Sequence, residues 1–248
     1  MAQSVERALQ LLDELGAGPM RLGPLADKLG VHKSTALRLL QTLERYRYVR
    51  REGEAPDFAL GLRIVELSGS LLESLDLRQV AAKPLKRLGS LTGETVHLAV
   101  RDGAAVIYMD KVESSHPVRM YSRVGARAPI YCTGVGKVLL AYTPVEEWPE
   151  MDLRRFTDNT ITTKAGLLAA AREIRDRGWG RDEQEHEGSI HCVAAPVFGP
   201  DADIVAAVSV SVPTSRLSTE ELDGHLPALI EATTEITTAL GGRAPRPA

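Results

Sequence analysis

Leu22, Leu25, Ala26 and Leu29 recur at the spacing of one helical face, and Gly30 follows them directly. A second apolar stripe, Ala36, Leu39, Leu40 and Leu43, begins six residues after that glycine. Glycine accepts the left-handed conformation that ends a helix, so the first helix stops and the chain turns sharply. A short helix, a glycine turn and an amphipathic helix make a helix-turn-helix. Upstream, Val5, Ala8, Leu9, Leu12 and Leu15 mark another helix, with Ser4 as N-cap and Gly16 as stop. Downstream, extended runs at 48–51 and 57–60 flank Glu52-Gly53-Glu54-Ala55-Pro56 and read as a β-hairpin wing. Residues 1–60 are therefore expected to form a winged helix-turn-helix.

Charge sharpens this reading. The chain carries a net charge of -3, yet residues 28–51 hold seven basic side chains against one acidic, net +6. Such a patch fits a polyanion. With Ala36, Leu39, Leu40 and Leu43 inward, Thr35, Arg38 and Arg45 face outward. The N-terminal part of a recognition helix lies nearest the bases, so Thr35 and Arg38 are the candidates for base contact. Lys33 and Ser34, at the helix start, suit phosphates; Ser34 also suits N-capping. The wing carries Glu52, Glu54 and Asp57, which repel phosphate, so any wing contact falls to Arg50 and Arg51. The partner implied is double-stranded DNA.

Residues 61–77 carry Ile64, Leu67, Leu71 and Leu75 near heptad spacing, which suits a linker helix and a dimer seam, or a helix packed on its own domain. The grammar then changes. Helices are expected at 79–91, 134–142, 164–177 and 218–240. Strands are expected at 95–100, 106–112, 118–121, 128–131, 180–186, 191–197 and 204–212. Residues 78–240 thus read as one α+β domain with an antiparallel sheet, and the Gly/Pro/Arg-rich 241–248 as a disordered tail. No apolar run reaches the ~18–20 residues that span a bilayer, and no basic-then-apolar leader opens the chain. Two cysteines among 248 residues make no disulfide framework. A cytoplasmic protein without a cofactor is expected.

Thr133-Gly134-Val135-Gly136 sits where a loop becomes a helix. Glycines there admit a ligand close to the backbone, and free amides favour an anion; ordinary helix-start glycines are the alternative. Ser209 and Ser211 alternate with Val208, Val210 and Val212, so a strand puts both hydroxyls on one face, either covered or toward solvent. Cys192, beside Val193-Ala194-Ala195, reads as a small buried hydrophobe. Asp182 opens an acidic stretch.

Several strings resemble the IclR family of bacterial transcriptional regulators. They are Ser4-Val5-Glu6-Arg7-Ala8-Leu9, the stretch from Lys33-Ser34-Thr35 to Leu40, Thr133-Gly134-Val135-Gly136-Lys137, Asp182 to Gly188, His191 to Val197, and Val208 to Ser211 with Pro213. The resemblance covers about residues 4–240. It implies a winged helix-turn-helix, a linker helix and a GAF-like effector domain. It implies a repressor that binds operators as a homodimer or homotetramer under control of a small carboxylate. It assigns the carboxylate to the amides of Gly134 and Val135, and it sets Asp182, Cys192, Ser209 and Ser211 around the ligand. Glu94 to Leu98, Arg119 to Gly125 and Pro129-Ile130-Tyr131 are similar to the repressors of the family that sense 2-keto-3-deoxygluconate. The wing departs from the pattern, with Phe58-Ala59-Leu60-Gly61 where a Tyr is expected.

Two rival readings use Cys192 and nearby histidines. A thiol hydrolase drawing on Cys132, His97, His186 and His191 has no supporting spacing and leaves the first 60 residues unexplained. A metal sensor built on His186, His191 and Cys192 places adjacent side chains on opposite strand faces. The chain is not expected to be an enzyme.

Overall fold

Apolar spacing sets the N-terminal helices of this chain, whose computed structural model describes residues 3–52, 57–67, 76–118, 120 and 122–245. Helices α1 (Gln3–Leu15), α2 (Leu22–Lys28) and α3 (Lys33–Arg45) pack Leu11, Leu15, Leu25 and Leu40 into one core with Val49 and Phe58. Gly30 takes φ +62° between α2 and α3, as the turn requires. Ser4 lies inside α1 rather than capping it. The cap of α3 is His32, not Ser34: His32 Nδ1 accepts the Ser34 N–H at 3.3 Å.

Strands β2 (Val49–Glu52) and β3 (Asp57–Leu60) form the expected hairpin, whose tip, 53–56, lies outside the described residues. A strand that the sequence reading lacks, β1 (Met20–Arg21), joins β3 and gives the order β1-β3-β2. Two residues are too short to leave a periodic signal. Of the expected linker at 61–77, residues 63–67 are helical and form the described part of α4; 68–75 lie outside the described residues. Leu77 belongs to the next helix.

The chain divides into two compact units, Met1–Leu75 and Asp76–Ala248. The second is built on a six-stranded antiparallel sheet in the order β6-β5-β4-β9-β8-β7. Its strands are β4 (Thr95–Asp102), β5 (Ala105–Val112), β6 (Arg127–Pro129), β7 (Gly180–Glu183), β8 (Ile190–Phe198) and β9 (Ile204–Pro213). Helices α5 (Asp76–Thr92), α8 (Thr219–Asp223) and α9 (Leu226–Ala239) cover one face over Val96, Leu98, Val193, Val208 and Val210. Helices α6 (Gly134–Ala141) and α7 (Lys164–Arg177) cover the other over Ala99, Ala194 and Ala207. Helices on both faces of an antiparallel sheet are the α+β architecture expected.

Four local expectations change. Residues 118 and 120 are not in a strand, and Arg119 and Tyr121 lie outside the described residues. β7 ends at Glu183, because Gln184 turns to φ +62° and Asp182 Oδ1 accepts the Glu185 N–H at 2.7 Å. The closing helix is two helices that break at Gly224-His225, with Pro227 in the first turn of α9, where its missing N–H costs nothing. The tail is ordered at its start: Gly241 takes φ +72° and Gly242 N–H donates to Thr237 O at 2.8 Å. Residues 246–248 lie outside the described residues.

Candidate functional site

The outward face of α3 carries Lys33, Ser34, Arg38 and Arg45, all exposed, with Thr35 half-buried. Among the described residues, Lys33, Arg38 and Arg45 form no ion pair, so their charges remain available to a polyanion. Arg50 and Arg51 differ. Arg50 pairs with Glu52 at 3.1 Å and Arg51 with Glu44 at 3.2 Å. Arg51 also lies over the Phe58 ring at 5.3 Å. The sequence reading assigned any wing contact to these two; here each has an acidic neighbour.

The second candidate region lies where α6 begins. The α6-facing side of the sheet is apolar at one end and polar at the other. Register builds the polar end. Asp182 lies opposite Cys192, Cys192 opposite Ser211, and Ser211 opposite Thr95, so the four form one row across β7, β8, β9 and β4. The next row runs through Ala194, Ser209 and His97.

Thr133 caps α6, with its hydroxyl accepting from Gly136 N–H at 3.2 Å and donating to Pro129 O at 3.0 Å. The cap leaves Gly134 and Val135 as the first helical residues, whose amides have no partner within the helix. Gly134 is dictated by space: a Cβ there would stand 2.5 Å from Cys192 Sγ. Contact this close holds the helix start against β8.

A narrow recess with a cavity volume of about 20 Å³, partly open to solvent, lies at this point. All six expected effector residues line it: Gly134, Val135, Asp182, Cys192, Ser209 and Ser211. Tyr108, Met120, Thr133, His186, Glu187 and Ile190 complete the lining. The sequence reading did not single out Tyr108 and Met120. They come from β5 and the segment after it, and no local pattern announces that the fold folds them over β9.

Electrostatics make the recess unusual. Burial lifts the Asp182 carboxyl to about 7; the Glu185 amide opposes this and the nearby Glu185 charge adds to it. Near neutral pH Asp182 therefore serves as donor and as acceptor. Ser209 and Ser211 are buried, and their hydroxyls lie 3.4 Å from each other. Behind them, Lys137 of α6 and Glu185 form a buried ion pair. Spacing alone did not reveal that pair, because its partners lie 48 residues apart.

Burial, with the Asp182 charge acting in the same direction, pushes both Cys132 and Cys192 up to about 12. Each is a neutral thiol at physiological pH, which does not suit a nucleophile. Burial shifts His186 and His191 downward. Among the described residues, no group of three or more His, Cys, Asp or Glu could hold a metal ion. Among the same residues, no helix is long and apolar enough to cross a membrane.

Known proteins match both units. The IclR helix-turn-helix domain family matches residues 4–53, and the bacterial transcriptional regulator IclR C-terminal family matches residues 69–238. The chain is 35% identical over 243 residues to the HTH-type transcriptional regulator KdgR of Escherichia coli K12, covering 96% of this chain and 92% of that protein. It is 34% identical to the HTH-type transcriptional regulator XynR of the same organism, covering 96% of this chain and 97% of XynR. The crystal structure of the Thermotoga maritima IclR aligns with a TM-score of 0.79 at 31% identity, covering 97% of this chain and 100% of that one. The chain belongs to the IclR family, DNA-binding transcriptional regulators with a helix-turn-helix domain and a C-terminal effector domain.

Proposed function

We propose that this regulator is a cytoplasmic repressor that binds operator DNA as a dimer or tetramer and responds to a small 2-oxo or hydroxy carboxylate. 2-Keto-3-deoxygluconate is the first effector to test. The observation that carries the reading is the recess itself. One helix start, whose first two amides have no partner within the helix and of which Gly134 N–H meets the Cys192 thiol, faces Asp182 and two buried serines that hydrogen-bond each other. The amides of Gly134 and Val135 suit a carboxylate. Ser209, Ser211 and Asp182 suit hydroxyl or keto oxygens, which a flat aromatic ligand would leave unpaired. Cys192 supplies a small apolar wall. The effector releases DNA only if it prefers the conformation that binds DNA poorly, since equal affinity shifts nothing.

Calorimetry with 2-keto-3-deoxygluconate tests the effector. The parent should give saturable heat, and the Ser209→Ala/Ser211→Ala double variant should lose about 1–3 kcal/mol of affinity. Absence of heat from sugar acids, or unchanged binding by the double variant, ends the proposal.

On the DNA side, the reading assigns base contacts to Thr35 and Arg38 and phosphate contacts to Lys33, Ser34 and Arg45, with Arg50 and Arg51 secondary. Arg38→Ala should weaken specific operator binding by about 1–3 kcal/mol in a mobility-shift titration at fixed salt. Parent-like binding by that variant would remove α3 from the major groove.

A further inference from the structure

The polar end of the sheet extends past the recess. Thr95 and His97 are fully buried, and Thr95 Oγ1 and His97 Nδ1 find no hydrogen-bond partner among the described residues. Both sit on the α6 side of the sheet, Thr95 opposite Ser211 and His97 opposite Ser209. Directly opposed side chains on one face of an antiparallel pair lie about 4.5–5.5 Å apart at Cβ. The orphan atoms thus lie one strand beyond the two serines that line the recess, behind its present wall. The His97 ring lies 4.6 Å from the ring of Tyr108, itself a wall of the recess. Buried polar atoms without partners are rare in folded proteins, and a bound molecule is one way they are satisfied.

We propose that Thr95 and His97 form a second subsite of the effector site, which takes the hydroxyl-bearing far end of a six-carbon monocarboxylate. The inference rests on the carboxylate reading of the α6 start and adds the length and polarity of the ligand. Length follows from strand spacing. Cys192, against Gly134, and Thr95 are two strands apart, about 9–10 Å. An extended six-carbon chain, with bonds of about 1.5 Å in zigzag, spans about 6.5 Å. A hydrogen bond of about 2.8 Å brings its end to Thr95 and His97. A three-carbon acid anchored at the same amides stops at the serines.

Polarity follows from the neighbours. Burial, with Lys111 acting in the same direction, lowers His97 to about 3, so its imidazole is neutral. Lys111 Nζ already donates to Ser122 O at 2.9 Å and pairs with Glu113 Oε1 at 2.9 Å. His97 Nε2 meets Ser122 Oγ at 2.7 Å, which leaves Nδ1 for the ligand. A neutral ring nitrogen and a threonine hydroxyl match a hydroxyl, which donates and accepts. Neither group carries a positive charge to balance a second carboxylate or a phosphate.

The test is calorimetry with pyruvate and with 2-keto-3-deoxygluconate on the full chain, Thr95→Val and His97→Phe. Valine keeps the shape of threonine, and phenylalanine keeps a ring against Tyr108. The parent should bind the six-carbon acid at least about tenfold more tightly than pyruvate, the worth of one or two extra hydrogen bonds. Each variant should lose most of that preference while its pyruvate affinity stays at the parent value. Equal losses for both acids, or no loss for either, would overturn the subsite and leave the carboxylate site standing. A parent that binds pyruvate but not the longer acid would do the same. A parent that binds neither would overturn the carboxylate reading and the subsite together. Should His97→Phe melt far below the parent, the near-isosteric Thr95→Val decides alone.

Discussion

Gly136→Ala is expected to cost the effector unit about 3 kcal/mol or more. An added Cβ would stand 2.0 Å from Ile130 O, 2.6 Å from Ile130 C and 2.6 Å from Thr133 Oγ1. Two of those atoms are backbone and cannot rotate away. The Ile130 side chain is fully buried, so its peptide cannot shift without moving the core beneath α6. The third atom is the cap of α6, so relief there would unseat the helix start that faces the recess. At about 2–4 °C per kcal/mol for a chain of this size, the melting temperature should fall by roughly 10 °C. Gly188→Ala is the control, since nothing lies within 4 Å of its added Cβ. Equal melting temperatures for the two variants would show that the turn from Ile130 to Gly136 yields easily.

Asp182→Asn is expected to stabilise the protein, and only above mid-acid pH. The folded carboxyl titrates near 7 against an ordinary value of 3.8, because burial penalises its charge. Below pH ~4 both folded and unfolded states hold the proton, and the residue costs nothing. From pH 4 to 7 the unfolded chain releases its proton while the folded chain keeps it, so stability drains away as pH rises. Above pH 7 the loss is complete. Three pKa units correspond to about 4 kcal/mol for an isolated group, and coupling to Lys137 and Glu185 brings the expectation to about 2–4. Asparagine carries no charge, and its carbonyl can still accept the Glu185 N–H. The variant should therefore match the parent at pH 4 and exceed it at pH 8 in urea titrations. A gain that is equal at both pH values would assign the effect to packing.

Reading the residues reached some of these features and missed others for identifiable reasons. The helix α7, Lys164–Arg177, is legible because Thr163 caps its start, accepting from Gly166 N–H, and Gly178 ends it at φ +83°. The recognition helix α3 is legible from Ala36, Leu39, Leu40 and Leu43. The split between α8 and α9 is not, because the apolar spacing continues past Gly224 while Ser218 and Glu221 close a capping box on a five-residue helix. Gly134, Val135, Ser209 and Ser211 sit in local patterns that leave two readings open, ordinary helix-start glycines and a solvent-facing strand among them, and the family resemblance chose between them. Asp182 and Cys192 depended on that resemblance entirely, because an acidic run and a lone thiol have bland meanings by themselves. Thr95, His97 and Tyr108 gain their meaning only from the register of β4 between β5 and β9, a property of the sheet rather than of any segment.

The acidic neighbours of Arg50 and Arg51 bear on how the regulator meets changing ionic strength. DNA holds a layer of condensed counterions, and each phosphate neutralised by a protein cation releases about 0.9 of one. Lys33, Arg45, Arg50 and Arg51, if all neutralised phosphates, would give log K against log salt a slope of about -3.6 from these positions. Glu52 and Glu44 already balance Arg50 and Arg51, so on the proposed contacts Lys33 and Arg45 would be the phosphate-neutralising cations of this set, about -1.8. Occupancy of an operator then falls less steeply when a cell takes up salt. On the proposed contacts, Glu44 of α3 and Glu52 of the wing would trade peak affinity in dilute solution for grip that persists under osmotic load.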